Sequence, residues 1–263
     1  MKIATFNING VKARLPRLLE WLDTFQPDVA CLQEIKSVDE TFPRMEIEDK
    51  GWHVETHGQK GFNGVALISR HPVTDIVRGL PAVDGGVADG DDQSRYIEAT
   101  VMNVRVASLY LPNGNPRPGP KFDYKLAWMD RLVAHASRLL TVERPVVLAG
   151  DYNVIPQDDT DDCHDPAAWV DDALTQPESR ARLRALTHLG YLDALRQIHP
   201  AGPKYSFWDY QRGAWAKDHG IRIDHLMLSP EAADRLKGAD VDRIPRAQEK
   251  ASDHTPVWID LAA

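Results

Sequence analysis

Several apolar runs in this 263-residue chain end in an acid, an amide or a tyrosine. Asn7 and Asn9 follow IATF, Glu34 follows ACLQ, and Tyr110 sits within ASLYLP. Asp151 and Asn153 follow VVLAG, Asp224 lies inside IRIDHLML, and Asp253 with His254 precedes TPVW. Ligands commonly bind at strand ends, so these residues are expected to share one pocket. The competing reading makes Asn and Asp simple turn formers. That reading explains Glu34, Asp224 and His254 poorly. A carboxylate cluster with amides, one His and no Cys suits a hard, oxygen-loving cation such as Mg²⁺ or Mn²⁺. Mg²⁺ takes one or two carboxylates and leaves the rest free for acid–base work. An Asp beside a His fixes the imidazole and raises its basicity. Such chemistry best serves attack of water on a phosphodiester.

The elements that must position these residues alternate between strand and helix. Strands are expected over 2–8, 29–33, 64–70, 95–101, 104–111, 146–150 and 221–228, and TPVWIDL closes the chain. Leu15, Leu18, Leu19, Leu22 and Phe25 recur at helical spacing, which predicts a helix over 13–25. Further helices are expected over 121–141 and 177–190. The pattern favours helix-covered sheets in one domain over residues 1–263. Stretches rich in Gly, Pro and Asp at 79–93, 112–120 and 154–166 read as surface loops. ATFNING and LAGDYNV echo one another as strand followed by Asn, a hint of internal pseudo-symmetry.

Composition narrows the class. The opening MKIATFNING lacks a signal-peptide pattern, and no window approaches the roughly 20 apolar residues of a membrane helix. A cytoplasmic protein without a membrane partner is expected. Cys31 sits in an apolar run and reads as buried, Cys163 in an Asp-rich stretch reads as exposed, and no disulfide is expected. The net charge is −8, which taken as a sum argues against a nucleic-acid partner. Residues 151–178, however, hold nine acids and no Lys or Arg; without them 30 acids face 31 bases. A local basic rim remains compatible with that balance.

The motifs FNING, LQEIK, GQKGFNGVALISR, LYLPNG, GDYNVIP, RIDHLMLS and SDHTPVW resemble, in order, those of the exonuclease III and abasic-site endonuclease family. They run through essentially the whole chain. QE, GDxN and SDH are shared across the wider endonuclease/exonuclease/phosphatase superfamily, whereas GQKGFNGVAL, SFWDY and RIDHLML are particular to the DNA-repair branch. The resemblance implies an α/β fold, a four-layered sandwich of two packed sheets with helices outside. It implies a metal-dependent enzyme on double-stranded DNA, abasic or 3′-damaged, acting as a monomer. Glu34 would be the principal metal ligand, held by Asn7. Asp151 would activate water or protonate the leaving oxygen, and Asn153 would orient the water. Tyr110 and His254 would bind phosphate, His254 being positioned by Asp224. The candidate metal set is Asn7, Glu34, Asp151, Asn153, Asp253 and His254. Asn9 stands where animal members carry an acid, and the acidic stretch 158–172 matches no motif.

Phe207, Trp208, Ile221 and Ile223 are the candidates for an apolar pocket that receives a baseless sugar, though such residues are commonly core. An intact nucleotide must be unstacked at a cost of a few kcal/mol to enter such a pocket. Lys60, Arg95, Lys121 and Arg222 are the candidate phosphate contacts, with surface charge or internal ion pairing as the alternative. Two rivals stand beside this function. A phosphatase on small phosphoesters would leave GQKGFNG and SFWDY unexplained. A non-catalytic nucleic-acid-binding regulator should have lost part of the polar set, which is intact.

Overall fold

The structure is a computed structural model and describes residues 1–86, 88 and 90–263. Val87 and Asp89, within the loop expected over 79–93, lie outside the described residues. The chain runs β1 (Lys2–Asn7), α1 (Val11–Phe25), β2 (Val29–Gln33), α2 (Arg44–Glu48), β3 (His53–His57), β4 (Val65–Ser69), β5 (Thr74–Arg78) and β6 (Tyr96–Val101). It continues through β7 (Val104–Tyr110), α3 (Pro120–Leu140), β8 (Val146–Asp151), α4 (Pro177–Leu189), β9 (Leu192–Asp193) and α5 (Ala194–Ile198). It ends with β10 (Asp224–Leu228), α6 (Pro230–Ala233), β11 (Leu236–Val241) and β12 (Val257–Leu261).

The strands form two six-stranded sheets, ordered β11-β12-β1-β2-β4-β3 and β5-β6-β7-β8-β10-β9. Successive side chains of a strand point to opposite faces, so a strand apolar at every position must be covered on both sides. Val29 and Cys31 enter one core between the sheets, while Ala30 and Leu32 enter a second core against Leu18, Trp21 and Leu22 of α1. Val147 and Ala149 join the central core, whereas Leu148 packs outward on Trp128, Met129 and Leu132 of α3. Each fully buried Leu or Val stabilises the fold by about 1.5–3 kcal/mol, and three such cores hold four layers together. The four-layered α/β sandwich is therefore written in the uninterrupted apolar character of the central strands.

Each sheet has one parallel pair at its centre, β1 with β2 and β7 with β8, and antiparallel neighbours outside it. Helix α1 crosses over within the first pair and α3 within the second. The repeated strand-then-Asn motif marks the ends of β1 and β8, the corresponding region of each half. Gly150 of β8 has a packing reason: a Cβ there would lie 2.0 Å from the Leu109 carbonyl oxygen of β7.

Two expectations need correction. The strand expected from 221 begins at Asp224; residues before it form isolated bridges, Ile221 pairing with Cys163 and Phe207. Cys163 is buried, not exposed, because neighbouring Asp162 turns inward to pair with Arg222 and Arg196. Both cysteines are free, as expected. Among the described residues no helix is long and apolar enough to cross a membrane.

Candidate active site

The parallel pairs of both sheets deliver their carboxy-terminal ends to one place. Asn7 ends β1, Glu34 follows β2, Tyr110 ends β7 and Asp151 ends β8. Because β10 runs antiparallel to β8, its first residue Asp224 registers with Asp151. His254 precedes β12 and reaches the same spot through a bridge to Phe207.

Asn7 joins the two sheets chemically. Its Nδ2 donates to Glu34 Oε1 at 2.9 Å and to Asp151 Oδ2 at 2.9 Å. Lys36 Nζ lies 2.9 Å from Glu34 Oε2. Burial alone raises the Glu34 pKa, but the hydrogen bonds from Asn7 and Lys36 and the Lys36 charge outweigh it and hold the carboxyl below its usual range. Glu34 is thus an ionised, half-buried acceptor. Its φ of 50° places it in the left-handed region, as do Asn9, Lys36 and Asn153 at 48°, 51° and 48°. For non-glycine residues such backbone is strained, and strain of this kind gathers at functional sites. Backbone bonds from Gly10 to Glu34 and from Ile35 to Gly64 fix the turn.

The second sheet supplies an Asp–His–Asp arrangement. His254 Nδ1 lies 2.8 Å from Asp224 Oδ2, and its Nε2 lies 3.6 Å from Asp151 Oδ2. Ser206 Oγ donates to the same Asp224 oxygen at 2.6 Å. Burial pushes the Asp151 carboxyl well above the carboxylate range, with the Asp224 charge adding to it against the His254 charge. For His254, burial opposes the charged form, but Asp224 and Asp151 override it and raise the imidazole above its ordinary value. Burial first, then the negative charges of Glu34 and Asp151, raises Tyr110 far above the usual phenol, so it stays a donor.

Asn153 completes the group. Its backbone N–H donates to Asp151 Oδ1 at 2.9 Å, its Nδ2 to the Leu111 carbonyl at 2.9 Å, and its Oδ1 accepts from Asn113 at 3.1 Å. Behind it the ammonium of Lys125 is buried, and burial pulls its pKa down to about 7 against the opposing pull of Asp172 and Asp151.

The donors fit a hard divalent cation. Asp151, Asp224 and His254 present ligand atoms within 4.8 Å of one another, the only such group among the described residues. Glu34 lies across Asn7 from that group. Asp253 stands apart: its Oδ1 accepts from Asn9 Nδ2 at 3.0 Å and from Ser252 at 3.3 Å.

Phe207 packs edge-on against His254 with ring centroids 5.0 Å apart. It also lines, with Trp169, His164, His219 and Ile221, a cavity of about 540 Å³ beside the Asp–His–Asp group. The other pocket candidates fall elsewhere. Trp208 is fully buried, its indole N–H donating to Asp218 at 3.0 Å, and packs on Trp215 as core. Ile223 packs beneath the cavity against Ile155 and Leu174.

Arg222 does not face outward. It is buried and paired with Asp162 at 2.6 Å and Asp193 at 2.7 Å, a hub that takes up the charge expected for phosphate. Lys60 and Lys121 are exposed. Arg95 lies over the Tyr110 ring at 4.8 Å and donates to the Tyr110 carbonyl at 3.2 Å, so it buttresses that tyrosine. Sequence reasoning missed Ser206, Asn113, Lys36 and Lys125. The motifs SFWDY, LYLPNG and LQEIK contain the first three, while Lys125 carried no signal beyond its place in an amphipathic helix.

Comparison with known proteins agrees with this fold. The model of the Endonuclease/Exonuclease/phosphatase family matches residues 4–254. Exodeoxyribonuclease III of Haemophilus influenzae is 35% identical over 272 residues, covering 99% of this chain and 100% of that protein. The structure of the 3′ phosphatase NExo from Neisseria, bound to a product DNA hairpin, superposes with a TM-score of 0.95 at 38% identity, covering both chains fully. An AP endonuclease from Archaeoglobus fulgidus superposes with a TM-score of 0.94 at 33% identity, again over both whole chains.

Proposed function

The chain belongs to the Endonuclease/Exonuclease/phosphatase family, and from that premise we propose that it is a divalent-metal-dependent DNA repair nuclease. Its substrates are duplexes with abasic sites or damaged 3′ ends, which it incises or trims from the 3′ side. Residues 1–263 act as one catalytic domain, in keeping with the family match over 4–254. The observation that carries this reading is the convergence of Asn7, Glu34, Tyr110, Asp151, Asn153, Asp224 and His254 from the strand ends of two sheets.

Glu34, held by Asn7 and Lys36, would be the principal ligand of the cation, with Asp151 and His254 bordering the site; the oxygen-rich donor set would favour Mg²⁺ or Mn²⁺. A bound cation supplies charge neutralisation at the phosphate and the departing oxygen. Asp151 takes the proton of the attacking water, a task its raised pKa suits because a base works best near the operating pH. Asn153 orients that water with its amide. His254, held as imidazolium by Asp224, donates from Nε2 to a phosphate oxygen. Tyr110 donates a second hydrogen bond to phosphate. Phe207 and Ile221 shape the cavity for a sugar without its base, and Lys60 and Lys121 meet flanking phosphates.

A labelled duplex panel tests this: an abasic site, a blunt end, a 3′-phosphate and an RNA strand, each with Mg²⁺, Mn²⁺ or EDTA, beside small phosphate esters. Metal-dependent cleavage of the damaged duplexes is expected. Turnover of the small esters alone would move the enzyme to the phosphatase branch.

A further inference from the structure

Lys125 lies on the buried face of α3, and its Nζ donates only to backbone carbonyls. These belong to Asn153 at 2.6 Å, Asn113 at 3.0 Å and Ala173 at 3.4 Å. One ammonium therefore ties together three segments: the loop after β7, the turn after β8 and the end of the acidic stretch. A buried charge is costly unless its hydrogen bonds are satisfied, and here three main-chain oxygens satisfy it.

The placement of those oxygens is specific. Asn153 sits in left-handed backbone with φ 48°, and Lys125 grips the carbonyl of that same strained residue. The Asn113 side chain meets Asn153 Oδ1 at 3.1 Å, so Lys125 fixes the backbone of both partners in an amide–amide contact. Gly114, next to Asn113, has φ +92°, and a Cβ there would lie 2.6 Å from Lys125 Cδ. The loop closes on the lysine because a glycine lets it.

We propose that Lys125 is a positioning residue for phosphodiester hydrolysis, setting the Asn153 amide through the carbonyls of Asn113 and Asn153. This rests on the reading of Asn153 as the residue that orients the attacking water. Lys125 is buried away from substrate, so its loss should slow chemistry without weakening binding. A misplacement of about 1 Å at a reacting group can cost on the order of 10²-fold.

The test compares the full-length wild type with K125M, N153A and the double variant, measuring kcat and KM on an abasic-site duplex at saturating Mg²⁺. K125M should lower kcat by roughly 10- to 100-fold with KM within about threefold. The double variant should be no slower than N153A alone, because the lysine acts through that amide. K125M at wild-type kcat beside a slow N153A overturns the role of Lys125 alone, as do losses that multiply in the double variant. N153A at wild-type kcat overturns the reading of Asn153 and this inference with it. Should K125M fail to give a cooperative melt, G114A disturbs the same link with the lysine in place. A fall in kcat at constant KM supports the proposal there, and an unchanged kcat overturns it.

Discussion

In the proposed mechanism Asp151 is the residue on which the chemistry turns, and its surroundings favour that role. It is buried, receives the Asn7 amide and the Asn153 N–H, and faces His254, so geometry and protonation are set together. Burial raises its pKa, and a base must be deprotonated to act. Activity should therefore rise with pH through an acid limb set by Asp151, which burial moves up and a bound cation would move down. Asp151→Asn keeps the volume and removes that limb, with kcat falling by about 10²–10⁴-fold. A kcat/KM profile across pH checks both; a loss below tenfold, or a variant that keeps the limb, would take the role of base away from Asp151. Residues such as Glu34, Asp224 and His254 were legible because a polar side chain ending an apolar run has few structural excuses. Arg222 and Trp208 were misread for the opposite reason: pattern alone does not reveal that a buried Asp162 pairs with Arg222, or that Asp218 takes the Trp208 indole N–H while Trp215 packs on its ring.

At the scale of elements, the division between what was legible and what was not follows the sheets. The interior strands β1, β2, β4, β6, β7, β8 and β10 correspond to strands expected from their apolar runs, and β12 lies within the closing TPVWIDL. The strands not foreseen, β3, β5, β9 and β11, are the four sheet edges. Edge strands face solvent on one side and mix charge into their pattern, as in TDIVR and LKGADV, so periodicity fades there. The acidic stretch was equally opaque, since its partners lie far away in sequence. Asp162 pairs with Arg196 and Arg222, and Asp158 with Arg180. Asp162→Ala leaves the buried Arg222 with half its partners and should cost about 3–5 kcal/mol in urea unfolding. Asp158→Ala, whose carboxylate is largely exposed, should cost no more than about 1 kcal/mol. Equal losses in the two variants would mean that the hub does not anchor this stretch.

Taken whole, the molecule carries a charge of −8, and its excess of acid over base lies in a stretch that is largely ion-paired or hydrogen-bonded. Recognition of DNA should then depend on the cavity more than on bulk charge. Each phosphate contact contributes about −0.9 to the slope of log K against log salt. Lys121→Ala should weaken binding to abasic and intact duplexes alike and flatten that slope by about one contact. Phe207→Ala should reduce the preference for the abasic duplex and leave the slope nearly unchanged. If both change the slope and neither changes the preference, recognition comes from DNA deformation and not from the cavity.

The central claim, that strand-end carboxylates hold a cation which hydrolysis of damaged DNA requires, is tested most directly by a Mg²⁺ titration of abasic-duplex nicking by the wild type and Glu34→Ala. The wild type should be silent in EDTA and saturate with added Mg²⁺. Glu34→Ala should need much higher Mg²⁺ and reach a lower kcat, because it loses the ionised carboxylate that Asn7 and Lys36 hold in place. Nicking that persists in EDTA, or a titration unchanged by the substitution, would contradict the account.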